Sequence, residues 1–313
     1  MNVNKEKIMN YRIAISVSSF AAHDDTPKKL LENAGVEIVP NPYGRRLTET
    51  EIIQQLKGIH GVIAGLEPLN KKVLESADNL KAIARVGIGM TNVDIEAAKD
   101  LGIKVSNTPD GPTEAVAELC LTALLAIGRN LVITNQELHA GNWKKRLGFG
   151  LRGTKILLVG YGRIGRRFAE ILRYLGAEIL VTDPVIEADS LTQGEKLVSL
   201  SQGLAEAKVV SLHASGIECL LGEPEFQIMQ KGIVLLNSAR GELIDENALV
   251  KALNKGTVSA AWFDAFIQEP YSGELLQFDQ VLLTPHVSTY SVQCRRFMEE
   301  AAVQNLLQDL GIK

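Results

Sequence analysis

The sequence has 313 residues, 46% of them hydrophobic and 22% charged, with a formal net charge of −4. That length fits one large domain or two of ordinary size, and the composition is that of a globular protein. The small negative charge leaves no basic footprint for nucleic acid, and the sequence lacks the run of about 20 apolar residues that a membrane span needs.

The polar residues 1–9 are expected to fray. Lys5 and Lys7 ahead of the apolar run 13–20 faintly imitate a signal peptide. That run is short and holds three serines, and a domain-opening strand over 11–17 explains it better. Helices over 27–33, 48–56, 70–74 and 95–100 then alternate with strands over 36–39, 61–64 and 80–86, the pattern of a small α/β domain. The longest helical pattern, 112–130, is apolar nearly all round and is expected to be buried. A second helix, 131–139, stops at Gly141 and Asn142.

A composite stretch follows at 155–183. An apolar run, 156–159, reads as a buried parallel strand and is followed by Gly160, Gly162 and Gly165 in G-x-G-x-x-G spacing. A helical pattern comes next, then a second apolar run, 179–181, ending near Asp183. Gly160 permits the tight turn, Gly162 lets backbone approach a pyrophosphate, and Gly165 lets helix and strand pack closely. The helix N-terminus offers free N–H groups to phosphate. Asp183, 18 residues past Gly165, can accept hydrogen bonds from an adenosine ribose and would repel a 2′-phosphate, so NAD is the expected cofactor. A lone glycine motif is weak; strand, glycines, helix, strand and acid in order are specific. Arg163, Arg166 and Arg167 read as a solvated helix face.

Beyond this unit, strands are expected over 209–212, 232–236, 260–263 and 281–283, with a helix over 246–253 and an amphipathic helix over 292–310. Three residues past strand ends suit hydride-transfer chemistry, which needs a means of orienting the substrate and an acid/base for the hydroxyl proton. Arg240 could clamp a carboxylate with its guanidinium fork. His286 held by a carboxylate such as Glu269 would suit general acid/base work. Pattern alone leaves Arg240 open as a capping or salt-bridge residue, Glu269 as a solvated acid and His286 as structural, and spacing does not show that they meet. Cys120, Cys219 and Cys294 are far apart and odd in number, which argues against a disulfide framework or a metal site and fits a reducing, cytoplasmic setting.

The segments RVGIGMTNVD, GIKVSNTPDGPTEAVAE, VGYGRIG, NSARGELIDENALVKAL, FDAFIQEP and LLTPHVS together resemble the D-isomer-specific 2-hydroxyacid dehydrogenase family, with most similarity to bacterial D-3-phosphoglycerate dehydrogenase-like members. The chain is expected to lack the C-terminal regulatory extension that some of those carry. The resemblance implies two doubly wound parallel-sheet α/β domains. A flavodoxin-like substrate domain of residues 1–107 and 288–313 would hold an inserted NAD-binding Rossmann domain of residues 108–287, and the cofactor domains would pair into a homodimer. It also implies Arg240 as the group binding the substrate carboxylate and carbonyl, His286 as acid/base and Glu269 as its partner. Val86 and Gly87 would offer N–H groups to the carboxylate. Cofactor contacts would come from Gly160, Tyr161, Gly162, Arg163, Ile164 and Gly165, with Asp183, His213, Ala239 and Asp264.

Two departures from the family pattern bear on substrate. Ala64, Gly65, Leu66, Glu67 and Pro68 stand where polar and basic residues often meet a phosphate, and Ala214 and Ser215 replace the proline usual after His213. Arg45 and Arg46 could restore positive charge, or simply form an exposed turn. Tyr290 could shape the pocket beyond His286. The expected reaction interconverts a D-2-hydroxy acid and a 2-oxo acid with NAD. 3-Phosphoglycerate is the first candidate and glyoxylate or hydroxypyruvate reduction the alternative. A non-catalytic NAD-sensing protein is the rival of another class.

Overall fold

The structure is a computed structural model that describes residues 11–312; the fraying expected for residues 1–9 lies outside the described residues. The chain divides into two compact units. One runs to Pro112 and resumes at Tyr290, and the other is Thr113–Thr289.

The first unit is a parallel sheet of β1 (Arg12–Ile15), β2 (Glu37–Val39), β3 (Gly61–Ala64), β4 (Ala82–Arg85) and β5 (Lys104–Asn107), in spatial order β2-β1-β3-β4-β5. This is the flavodoxin-like order. The strands alternate with α1 (Thr26–Asn33), α2 (Glu49–Gln55), α3 (Lys71–Glu75) and α4 (Ile95–Asp100). Their starts are written in the sequence: Thr48, Asn70 and Asp94 each accept a hydrogen bond from the backbone three residues on, satisfying an orphan N–H of the first turn. The strand β5 escapes sequence reading because Val105 is its only apolar residue.

The last helix, α11 (Val292–Leu310), packs on this first sheet. Its buried face includes Met298, Ala302, Val303, Leu306 and Leu310, together with Arg295 and Glu299, whose side chains pair at 2.6 Å. Phe297, an apolar residue of this amphipathic helix, is 53% exposed. The helix turns Met298 inward instead.

The second unit opens with α5 (Pro112–Gly128) and α6 (Leu131–His139). Its sheet comprises β6 (Lys155–Val159), β7 (Glu178–Thr182), β8 (Glu195–Leu197), β9 (Val209–Leu212), β10 (Ile233–Asn237), β11 (Val258–Phe263) and β12 (Val281–Leu283). All its pairings are parallel, in the order β12-β11-β10-β9-β6-β7-β8. The order reverses at β6, which pairs with β7 on one side and β9 on the other, so the switch point of a doubly wound sheet lies there. Helices α7 (Arg163–Tyr174), α8 (Leu200–Glu206), α9 (Glu223–Ile228) and α10 (Glu246–Lys255) supply the crossovers. Both sheet faces are covered: Ile156 and Leu158 of β6 join one core cluster, while Leu157 and Val159 join the other. That is why β6 reads as a continuous apolar run rather than an alternating one.

Helix α5 buries Val116, Ala117, Cys120 and Leu124 within this unit and leaves Leu125 42% exposed. Helix α6 has no buried residue at all. Among the described residues no single helix is long and apolar enough to cross a membrane.

Candidate active site

The glycine turn sits at the switch point. Gly160 has φ +97°, and a Cβ there would lie 2.5 Å from the backbone nitrogen of Ala214. A Cβ on Gly165 would lie 2.3 Å from the Gly160 carbonyl oxygen. Both glycines are therefore demanded by close packing. Gly162 differs, since a Cβ there would meet nothing within 4 Å. The space over that backbone, at the N-cap of α7, is open, and it suits the pyrophosphate of a dinucleotide.

Asp183 stands just past β7. Its carboxylate accepts the Tyr161 N–H at 2.7 Å and the Val185 N–H at 2.9 Å, so the acid and the glycine turn are directly connected. The Tyr161 side chain is 2% exposed and its hydroxyl donates to Glu195, so this residue brings backbone, not ring, to the turn. Arg166, read from sequence as solvated, lies with its guanidinium 4.7 Å from the Tyr161 ring centroid. Arg163 is exposed at the start of α7, and Ile164 packs against the core.

His213 lies beneath the turn. Its Nε2 is 2.9 Å from the Ser211 hydroxyl and its ring meets Phe168 edge-on at 5.4 Å. Its Nδ1 is buried without a protein partner among the described residues. Desolvation lowers its pKa to about 4, so the imidazole is neutral at ordinary pH.

A second cluster forms beyond β10, β11 and β12. Both oxygens of Glu269 lie within reach of His286 Nδ1, at 2.9 and 3.0 Å. The Phe266 N–H donates to the same carboxylate at 3.1 Å and fixes its orientation. His286 itself adopts φ +54°, a left-handed conformation that carries strain in a non-glycine residue. Its side chain remains 40% exposed and that of Glu269 29%, so the imidazole edge opposite the carboxylate can reach a ligand.

Asp264, 0% exposed, accounts for the loop that carries this histidine. Its carboxylate accepts hydrogen bonds from the Thr284 hydroxyl at 2.6 Å, the Val287 N–H at 2.9 Å and the Ser288 N–H at 2.8 Å, and also from the Ser288 hydroxyl. Sequence reasoning missed Thr284 and Ser288. Their signal is the pair of hydroxyl residues on either side of the histidine in TPHVS.

Arg240 follows β10, with its guanidinium donating to the Ala239 carbonyl at 2.7 Å. Asn237 braces this turn: its side chain accepts the Ala239 N–H and donates to the Arg240 carbonyl. The next residue, Gly241, lies against the Glu269 loop so closely that a Cβ would fall 2.2 Å from the Ile267 nitrogen. The second unit thus brings Glu269, His286 and the Asp264 loop together, and seats the Arg240 turn on the same segment.

Two N–H groups on the first unit, those of Val86 and Gly87, have acceptors within the chain. The Val86 N–H donates to the Ala64 carbonyl at 2.9 Å, and the Gly87 N–H to the Thr108 hydroxyl at 2.8 Å. Both residues are buried, and the exposed part of the loop begins at Ile88. The extended sheet ladder runs past the end of β4, which sequence pattern does not reveal. Tyr290 faces Arg295, whose guanidinium carbon lies 5.2 Å from the ring centroid.

Among the described residues no group of three or more His, Cys, Asp or Glu is placed to hold a metal. The Cys120 thiol is pushed up to about 12 by burial and is no nucleophile.

Comparison with known proteins gives the family. Residues 121–288 match the model of the D-isomer specific 2-hydroxyacid dehydrogenase, NAD binding domain. The chain belongs to that family. It is 34% identical over 255 residues to a glyoxylate reductase of Thermococcus litoralis, covering 77% of each chain. It is 33% identical over 251 residues to a D-3-phosphoglycerate dehydrogenase of Archaeoglobus fulgidus, covering 77% of this chain but 48% of that one. Among solved structures, the TT0316 protein from Thermus thermophilus superposes with a TM-score of 0.88 at 32% identity, over 96% of this chain and 97% of that one. As a member of this dehydrogenase family, the chain is an oxidoreductase with a dinucleotide-binding Rossmann domain, acting on the CH–OH group of its donors.

Proposed function

We propose that the protein is an NAD-dependent D-2-hydroxyacid dehydrogenase, working on an unphosphorylated small 2-oxo or 2-hydroxy acid. The Glu269–His286 pair, with both carboxylate oxygens on Nδ1, carries the reading. A carboxylate on Nδ1 fixes the tautomer and the orientation of the ring, leaving Nε2 to exchange a proton with the substrate oxygen. In reduction His286 gives that proton to the forming hydroxyl; in oxidation it takes it. Arg240 binds the carboxylate and draws charge onto the carbonyl oxygen. Gly160, Gly162, Gly165 and Asp183 hold the dinucleotide, which supplies or accepts the hydride when bound. The Asp183 carboxylate favours NAD over NADP by repelling a 2′-phosphate.

The preference for an unphosphorylated acid rests on two side chains. Glu67 is 1% exposed, its carboxylate turned inward onto the Ser16 hydroxyl at 2.5 Å and the Gly65 N–H at 3.0 Å. Arg45, a candidate phosphate contact, is engaged by Glu51 through two hydrogen bonds of 2.9 and 2.6 Å. Glu67 offers a phosphate no positive charge and Arg45 one already paired, which leaves the exposed Arg46 as the other cation of that turn.

Homodimer formation belongs to the same proposal. Helix α6 and the segment after it expose Leu131 by 62%, Leu138 by 56%, Trp143 by 83% and Leu147 fully. A nine-residue helix with no buried residue has little to hold it in water, and a second copy is the occupant that would cover this apolar arm.

The test is NADH oxidation by the purified protein with glyoxylate, hydroxypyruvate, pyruvate, a branched 2-oxo acid and 3-phosphohydroxypyruvate, with NADPH run alongside. Turnover of an unphosphorylated acid with NADH is expected. Preference for the phosphorylated acid would overturn the substrate assignment. No turnover despite confirmed NADH binding would overturn the reaction.

A further inference from the structure

We infer that Tyr271 and Glu246 form a positioning pair that holds the Glu269 loop in register with the Arg240 turn. The inference rests on the reading of Glu269 and His286 as the acid/base pair.

The geometry is built from four contacts. The Tyr271 hydroxyl donates to Glu246 Oε1 at 2.5 Å and accepts the Leu275 N–H at 3.1 Å. The first distance is that of a charge-assisted bond to a carboxylate. Glu246 is the first residue of α10, the helix that the Arg240 turn feeds into through the cap Asp245. The Tyr271 ring stacks on Phe266, with centroids 4.4 Å apart and planes 26° from parallel. Phe266 in turn donates its N–H to the Glu269 carboxylate.

The loop from Phe266 to Tyr271 is therefore closed on itself by the stacked rings, with Glu269 in the middle. Its far end is tied to α10 by the hydroxyl, and its near end is pressed against Gly241, next to Arg240. The backbone leaves room for this arrangement: a Cβ on Gly273 would lie 2.3 Å from the Tyr271 hydroxyl oxygen and 2.6 Å from Glu246 Oε1. Burial, and then the hydrogen bond to Glu246, keep the Tyr271 hydroxyl protonated, so it remains a donor to that carboxylate. Neither Tyr271 nor Glu246 touches His286 among the bonds described, so the pair acts through Glu269.

The test compares Tyr271→Phe with wild type. This change keeps the stacked ring and removes the hydroxyl. A loosened Glu269 holds the imidazole less firmly. The expected result is a roughly tenfold lower kcat for 2-oxo acid reduction, below the roughly 10²-fold of a 1 Å misplacement. The KM for NADH should stay unchanged, so the loss falls on kcat alone. Adding Tyr271→Phe to Glu269→Gln should cost little further, because residues acting through one another are not additive. Glu246→Gln, which keeps an acceptor, should lie between wild type and Tyr271→Phe. Wild-type kcat in Tyr271→Phe, with or without a lower Tm, would overturn the inference. If His286→Ala also kept its activity, the acid/base reading itself would fail; if His286→Ala were inactive, only the positioning role would.

Discussion

Asp264 holds Ser288 by both its backbone N–H and its hydroxyl, while its other oxygen takes Thr284 and Val287. A buried carboxylate with four donors from one loop fixes that loop on either side of His286 and sustains its left-handed backbone. Replacing Asp264 by Ala leaves those donors buried without an acceptor. The expected loss is about 3 kcal/mol of stability, seen as a lower Tm, together with a fall in kcat that exceeds any change in dinucleotide affinity. Denaturant unfolding and steady-state kinetics on the same preparation check it.

Gly160 combines a positive φ with backbone packed where a Cβ would go. Gly160→Ala is therefore expected to cost about 3 kcal/mol or more and to weaken NADH binding. Gly162→Ala, with open space over it, should leave stability nearly unchanged and act on cofactor affinity alone. Thermal unfolding and fluorescence titration with NADH separate the two.

His213 sets a pH dependence of stability. Its pKa is about 4 in the folded chain against an ordinary value of 6.5. Between those values the unfolded chain binds the extra proton, so stability is fully present above pH 6.5 and is lost as pH falls toward 4. The contribution is at most about 3 kcal/mol. His213→Asn cannot titrate there, so its Tm should fall less steeply over that window than that of wild type. Parallel curves for the two proteins would contradict this.

The apolar arm gives a solution test. Leu138→Glu with Leu147→Glu places charge on the exposed surface of α6 and the segment after it. The wild-type chain is expected to sediment as a dimer of 34.1 kDa protomers and the double variant as a monomer. Analytical ultracentrifugation decides it, with identical behaviour of the two proteins as the adverse outcome.

Much of this architecture is legible in the sequence because its strands are buried on both faces and its helices carry side-chain caps. β6, β9 and β12 appear as short apolar runs, and Asp245 and Thr48 announce the helices that follow. What stayed hidden depends on contacts distant in sequence. The strands β5 and β8 lie at sheet edges, where KVSN and EKL have little apolar signal. The meeting of Glu269 and His286, 17 residues apart, is set by a loop closing across β11 and β12. The extra ladder bond that consumes the Val86 N–H is a property of sheet register, which no local pattern encodes. Tyr271 reads as any loop tyrosine until its partner on α10 is in view.

The central claim is that His286, held by Glu269, moves the proton. The direct measurement is turnover of the best 2-oxo acid by His286→Ala, made beside NADH binding to the same variant. The account predicts a loss of about 10²- to 10⁴-fold in kcat with NADH affinity unchanged. Near wild-type turnover in a variant that still binds NADH would contradict it.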